Sequence, residues 1–185
     1  MVAQQLLNHS WQLTIDDQAN THNSHRPWPW ADTWPVAKLR VPQHGIEQIV
    51  LAGDSGSSLA FGPGLSFAGA TPDSGGITMI SGHRDTHFNF LKDLKINDRI
   101  YLQTRAGGVQ YHVESFQIVD SETFRLPNDS DDRSLVLVTC YPFEAATAGG
   151  SLRYLVRASP IAQPPIPAKN IDQRLPGTGS GLTAE

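Results

Sequence analysis

At 185 residues and 39% hydrophobic content, the chain has material for one well-formed core and is short for two. A formal net charge of −4, with Lys and Arg scattered rather than clustered, leaves no basic field, which excludes nucleic acid as a partner. No apolar run approaches the roughly 20 residues of a membrane-spanning helix, and the N-terminal residues carry no signal-peptide pattern.

In chain order, residues 3–14 are predicted to form a short helix, because Ala3, Leu7, Trp11 and Thr14 share one face at a 3.6-residue period. Residues 21–35 are polar, then rich in Pro and Trp. Pro27-Trp28-Pro29-Trp30 and Trp34-Pro35 forbid a regular helix, so this stretch is read as an extended wrap pinned by Trp28, Trp30 and Trp34. Strands follow at 38–41, 48–52 and 77–80. Those at 99–104 and 109–119 flank Ala106-Gly107-Gly108, which reads as a hairpin turn. Strands at 135–141 and 154–158 complete the set, and only 88–94 looks helical among them. Many short strands divided by Gly and Pro turns point to a mainly β fold, a closed barrel or a sandwich. Three regions are expected: 1–24 as helix and linker, 25–163 as the barrel, and 164–185 as a flexible Pro/Gly/Ser/Thr-rich tail.

One residue type is used once. Cys140 ends the β-branched run Ser134-Leu-Val-Leu-Val-Thr-Cys and is followed at once by Tyr141-Pro142-Phe143. A lone thiol has no intrachain disulfide partner, leaving packing, metal binding or nucleophilic attack; it does not assign a redox compartment. Pro142 stops the strand, which places Cys140 at a rim where a thiol is reachable. His83, in Ser81-Gly82-His83-Arg84-Asp85-Thr86, also closes a strand, and Arg153 lies thirteen residues beyond the cysteine. Taken singly, each has an ordinary reading: a small buried hydrophobe, a loop histidine and an ion-pairing arginine. Together they are the groups acyl transfer requires: a sulfur nucleophile, a proton carrier and a permanent cation for an oxyanion. His87 and Asp85 beside His83 do not complete a convincing metal ligand set, so neither metal nor cofactor is expected.

Four blocks, Gly62-Pro63-Gly64, Ile80-Ser81-Gly82-His83-Arg84-Asp85-Thr86, Leu137-Val138-Thr139-Cys140-Tyr141-Pro142-Phe143 and Gly149-Gly150-Ser151-Leu152-Arg153-Tyr154, resemble the signature segments of sortases, the cysteine transpeptidases. The resemblance runs in order from about Trp28 to Ala158. Pro27-Trp28-Pro29-Trp30-Ala31-Asp32 and Cys140-Tyr141-Pro142-Phe143 are most similar to the proteobacterial type, class GN. Two departures are Leu65, where many relatives carry histidine, and the shortened block 70–76.

The resemblance implies an eight-stranded β-barrel with short helices and a peptide groove floored by the cysteine and histidine strands. It makes Cys140 the nucleophile, His83 the general acid/base and Arg153 the transition-state stabiliser. Thr139 either orients the bound peptide, lends its backbone to the oxyanion, or merely follows its strand preference. Asp85 either steers His83 or pairs with Arg84, and the sequence leaves both open. The implied partners are an exported protein bearing a Leu-Pro-x-Thr-Gly-like signal and an amine acceptor. The implied location is the inner membrane, with the active site outside the cytoplasm. Met1-Val2 sits where an apolar anchor would end in relatives, so the expectation is a shortened chain whose native form is tethered. Residues 175–179, Leu-Pro-Gly-Thr-Gly, match the signal pattern on the chain itself. An appended tag, a native self-sequence and chance all fit this match. Rival readings of the whole are a cysteine endopeptidase with water as acceptor and a noncatalytic peptide- or glycan-binding barrel.

Overall fold

Alternation of apolar and polar side chains along short strands builds a closed barrel in the computed structural model, which describes residues 2–17, 25–72, 74–127, 131–145 and 149–161. The strands are β1 (Pro35–Val41), β2 (Ile46–Ala52), β3 (Gly64–Leu65), β4 (Thr78–Ser81), β5 (Arg99–Thr104), β6 (Gly108–Asp120), β7 (Leu135–Cys140) and β8 (Leu152–Pro160). Around the barrel they run β1-β2-β3-β4-β7-β8-β6-β5, and β5 closes on β1. The mainly β, eight-stranded expectation is met. The tail from 164, with its 175–179 match, lies outside the described residues.

Inward-facing residues of successive strands fill the interior. Ala37, Leu39 and Val41 of β1, Ile80 of β4, Ile100 and Leu102 of β5, Leu135 and Leu137 of β7, and Val156 and Ala158 of β8 form one buried cluster. Leu65, one of the two departures from the family pattern, joins this cluster, paired with Ile80 across β3 and β4. β3 spans only two residues and runs parallel to β2. Its backbone approaches so closely that a Cβ on Gly64 would lie 2.2 Å from the Gly53 carbonyl oxygen, so only glycine fits there.

A helix, α1 (Val2–Asp16), covers part of the barrel's outer surface. Leu7, Trp11 and Ile15 share its buried face and pack on Ile49 and Leu51 of β2. Removing each such side chain from water stabilises the fold by about 1.5–3 kcal/mol. Trp28 joins this cluster and meets the Phe61 ring edge-on at 4.8 Å, as a pin should. Trp30 does not: it is 82% exposed, which corrects its predicted pinning role. The 88–94 helix reduces to a 3-10 turn, Asn89–Asp93, that buries Phe90 and Leu91. A four-residue helix, α2 (Gly56–Leu59), and a 3-10 turn, Pro42–His44, link neighbouring strands. Among the described residues no helix is long and apolar enough to cross a membrane.

Candidate active site

β4 and β7 lie side by side and parallel, with Ser81 opposite Val138, so both strands end at the same rim of the barrel. Past that rim the chain stays tied to β7 through Gly82. Its N–H donates to the Val138 carbonyl at 3.0 Å, and its carbonyl accepts from the Thr139 hydroxyl at 2.7 Å. The fully buried Phe88 ring packs directly over Gly82, and the Phe88 N–H donates to the His83 carbonyl at 2.9 Å. This packing turns the chain sharply and leaves the His83 side chain exposed.

Strand alternation orients β7. Leu135, Leu137 and Thr139 face inward and are buried; Val136, Val138 and Cys140 take the opposite, outer face. Cys140, the last residue of β7, is a free and exposed thiol. Behind it on the outer face, Val136 and Val138 pack with Leu155, Val119, Phe124 and Leu126. Cys140 pairs directly with Arg153 across the antiparallel β7 and β8, which brings these two side chains to one face. Arg153 Nη1 donates to the carbonyls of Gly150 (2.6 Å) and Leu152 (2.9 Å), and the guanidinium carries further donors.

His83 and Cys140 line one cavity of about 270 Å³, with Arg84, Asp85, Tyr141, Pro142, Ala145, Gly149 and Gly150 completing the wall. Arg153 flanks the cysteine without lining this cavity. The Thr139 side chain is buried, and its hydroxyl donates to the Gly82 carbonyl. Asp85 pairs with Arg84, through Nε at 2.7 Å and Nη2 at 3.1 Å, and its carboxylate also lies within electrostatic reach of His83. The Arg84 bond holds the Asp85 carboxyl below the usual aspartate range, and the same bond raises the Arg84 pKa. Burial, with the nearby His83 charge, lowers the pKa of His87 and favours its neutral form. Among the described residues no group of three or more His, Cys, Asp or Glu is placed to hold a metal ion.

Two features escaped the sequence reading. The Phe88 ring over Gly82 is a contact between residues six apart that no periodicity encodes. Beside the cysteine, Tyr154 stacks with Phe116 at 6.0 Å and with Tyr141 at 6.2 Å, while Phe143 meets Tyr154 edge-on at 5.2 Å. The cluster of Tyr141, Phe143 and Tyr154 around the cysteine and arginine positions was the available signal.

An exposed thiol and an imidazole on one cavity, with a guanidinium in register with the thiol, are suited to nucleophilic acyl transfer. The sequence pattern of the sortase domain matches residues 39–161. Sortase D of Bacillus subtilis (strain 168) is 29% identical over 142 residues, covering 76% of this chain and 69% of that protein. Among solved structures, sortase A from Corynebacterium diphtheriae superposes with a TM-score of 0.65 at 22% identity, over 88% of this chain and 84% of its own. The Clostridium perfringens sortase D5 transpeptidase gives a TM-score of 0.67 at 20% identity, over 86% of this chain and 98% of its own. At those identities the two structures establish a shared fold.

Proposed function

The chain belongs to the sortase family of cysteine transpeptidases, and from that premise we propose that it cleaves a Leu-Pro-x-Thr-Gly-like signal between Thr and Gly and joins the new carboxyl end to an amine. The observation that carries this reading is the common cavity of Cys140 and His83, with Arg153 opposite the cysteine across β7 and β8.

In this reading the Cys140 thiolate attacks the threonine carbonyl carbon, and the oxyanion that forms accepts hydrogen bonds from the Arg153 guanidinium. The carbon–nitrogen bond then breaks. Protonated His83 delivers its proton to the leaving glycine amine, and a thioester remains on Cys140. An incoming amine attacks that thioester, His83 takes up the proton the amine loses, and the thiolate departs. Aminolysis prevails over hydrolysis only where the groove limits water at the acyl group. Thr139 serves as a strap between β7 and the histidine turn rather than as a peptide contact.

Pro27-Trp28-Pro29-Trp30 and Cys140-Tyr141-Pro142-Phe143 support placement in the proteobacterial class GN. With it comes a membrane-tethered enzyme whose site faces away from the cytoplasm and whose protein substrate is exported. The test is incubation with a panel of signal peptides, with and without glycine- or lysine-like amines. Ligated product that appears only with amine supports the transpeptidase; cleavage indifferent to amine identifies an endopeptidase. Binding that survives Cys140→Ala with no cleavage by wild type identifies a noncatalytic module.

A further inference from the structure

Arg84 follows the histidine immediately, yet its side chain is only 8% exposed, while the carboxylate it pairs with is 70% exposed. A guanidinium removed from water is stable only when its donors are satisfied, and four bonds meet that need here. Two go to Asp85. The others reach the main chain after Cys140: Nη1 donates to the Pro142 carbonyl at 2.7 Å and Nη2 to the Ala145 carbonyl at 2.9 Å. Both carbonyls belong to the segment that leaves Cys140, and Ala145 N–H closes a turn on the Pro142 carbonyl at 3.3 Å. Arg84, Asp85, Pro142 and Ala145 all line the same cavity as the thiol and imidazole.

Resting on the transpeptidase reading above, we propose that Arg84 is a positioning residue: held by Asp85, it clamps the segment after Cys140 to the histidine turn and so fixes the shape of the cavity in which thiol and imidazole meet. The base of the site is already tied by Gly82 to β7. Tyr141 and Phe143 anchor the start of the 141–145 wall to β8 and the core, and the Arg84 bonds add a direct tie from this wall to the histidine turn. The planar fork is what the task requires, since it reaches two carbonyls and a carboxylate at once. Lysine, a point charge on a flexible stem, does not reproduce that geometry. With four of five donors committed, Arg84 has little left to offer a substrate.

The test compares Arg84→Gln, Arg84→Lys and Asp85→Asn with wild type, well below each variant's melting temperature, by steady-state ligation kinetics and by hydrogen exchange over residues 141–145. Misplacing reacting groups by ~1 Å costs on the order of 100-fold. Arg84→Gln is therefore expected to lower kcat about 100-fold with KM within about threefold, and Arg84→Lys about tenfold. Asp85→Asn, on an exposed side chain whose loss leaves the core intact, is expected to lower kcat a few-fold in the same direction. A pure charge effect on the thiol would instead move Arg84→Gln and Asp85→Asn in opposite directions. Amide exchange over 141–145 should quicken in Arg84→Gln. Opposite signs, a change confined to KM, or unchanged exchange would each overturn the clamp. If wild type ligates no peptide, the transpeptidase reading fails by itself, and exchange over 141–145 still decides the clamp.

Discussion

Gly82→Ala places a methyl where the structure has no room for it. A Cβ at position 82 would lie 2.6, 2.7 and 2.8 Å from three carbons of the Phe88 ring, which is itself fully buried. To regain an ordinary carbon–carbon contact of ~3.5 Å, ring or turn must retreat by close to 1 Å. The ring is hemmed in by Phe90, edge-on at 5.8 Å, and by the barrel core, so the turn carrying His83 takes part of the shift. Overpacking of this kind costs about 1–3 kcal/mol, or a fall in melting temperature of roughly 2–10 °C for a domain of this size. Displacing the imidazole relative to Cys140 by a sizeable fraction of 1 Å should lower kcat by roughly 10- to 100-fold. Thermal melting and steady-state ligation read both effects. The paired variant Gly82→Ala/Phe88→Leu, which trims the obstructing ring, should recover part of kcat although it loses further core area. Wild-type kcat and melting temperature in Gly82→Ala would refute the argument that this contact sets the histidine.

Trp11→Ala should destabilise the fold by about 3–5 kcal/mol, measured as a lower urea midpoint, because the ring is fully buried between α1 and β2. For Asp132, burial pushes its pKa up, but bonds from the Ser134 hydroxyl and N–H and from Arg157 prevail and hold it below the usual aspartate value. A folded pKa below the unfolded one gives stability that is present above the unfolded value and lost as pH falls through the folded one. Urea midpoints should therefore drop below about pH 4, and Asp132→Asn should show a smaller acid-induced loss than wild type. Long incubation of the purified chain should slowly release the residues after Thr178 from the 175–179 match; an intact mass after that incubation would reject self-processing by Cys140.

How legible the molecule was from its residues depended on how far apart the interacting groups lie in the chain. β5 was readable to its ends, 99–104, because Ile100 and Leu102 alternate toward the core and Gly107-Gly108 turns the chain into β6. β3 was not: two residues have no periodicity, and Gly64 is held there by backbone approach to Gly53, a contact visible only in three dimensions. The rim location of Cys140 followed from the proline two residues on, while its pairing with Arg153 depends on a register that spacing alone does not specify. Trp28 and Trp30 look alike in sequence, and only their neighbours in space, Phe61 and the α1/β2 cluster, separate the half-buried ring from the exposed one. Arg84 reads as half of a surface doublet with Asp85. Its bonds to Pro142 and Ala145 span about 60 positions and leave no local mark.

Whether a thioester forms on Cys140 can be asked directly by acid-quenching a reaction with a Leu-Pro-x-Thr-Gly peptide and mapping the protein by mass spectrometry. The expected result is an added mass equal to the peptide up to threonine on the fragment containing Cys140, which disappears when an amine is supplied and is missing from Cys140→Ala. Ligated product formed by Cys140→Ala, or formed by wild type with the acyl group on another residue, would contradict it.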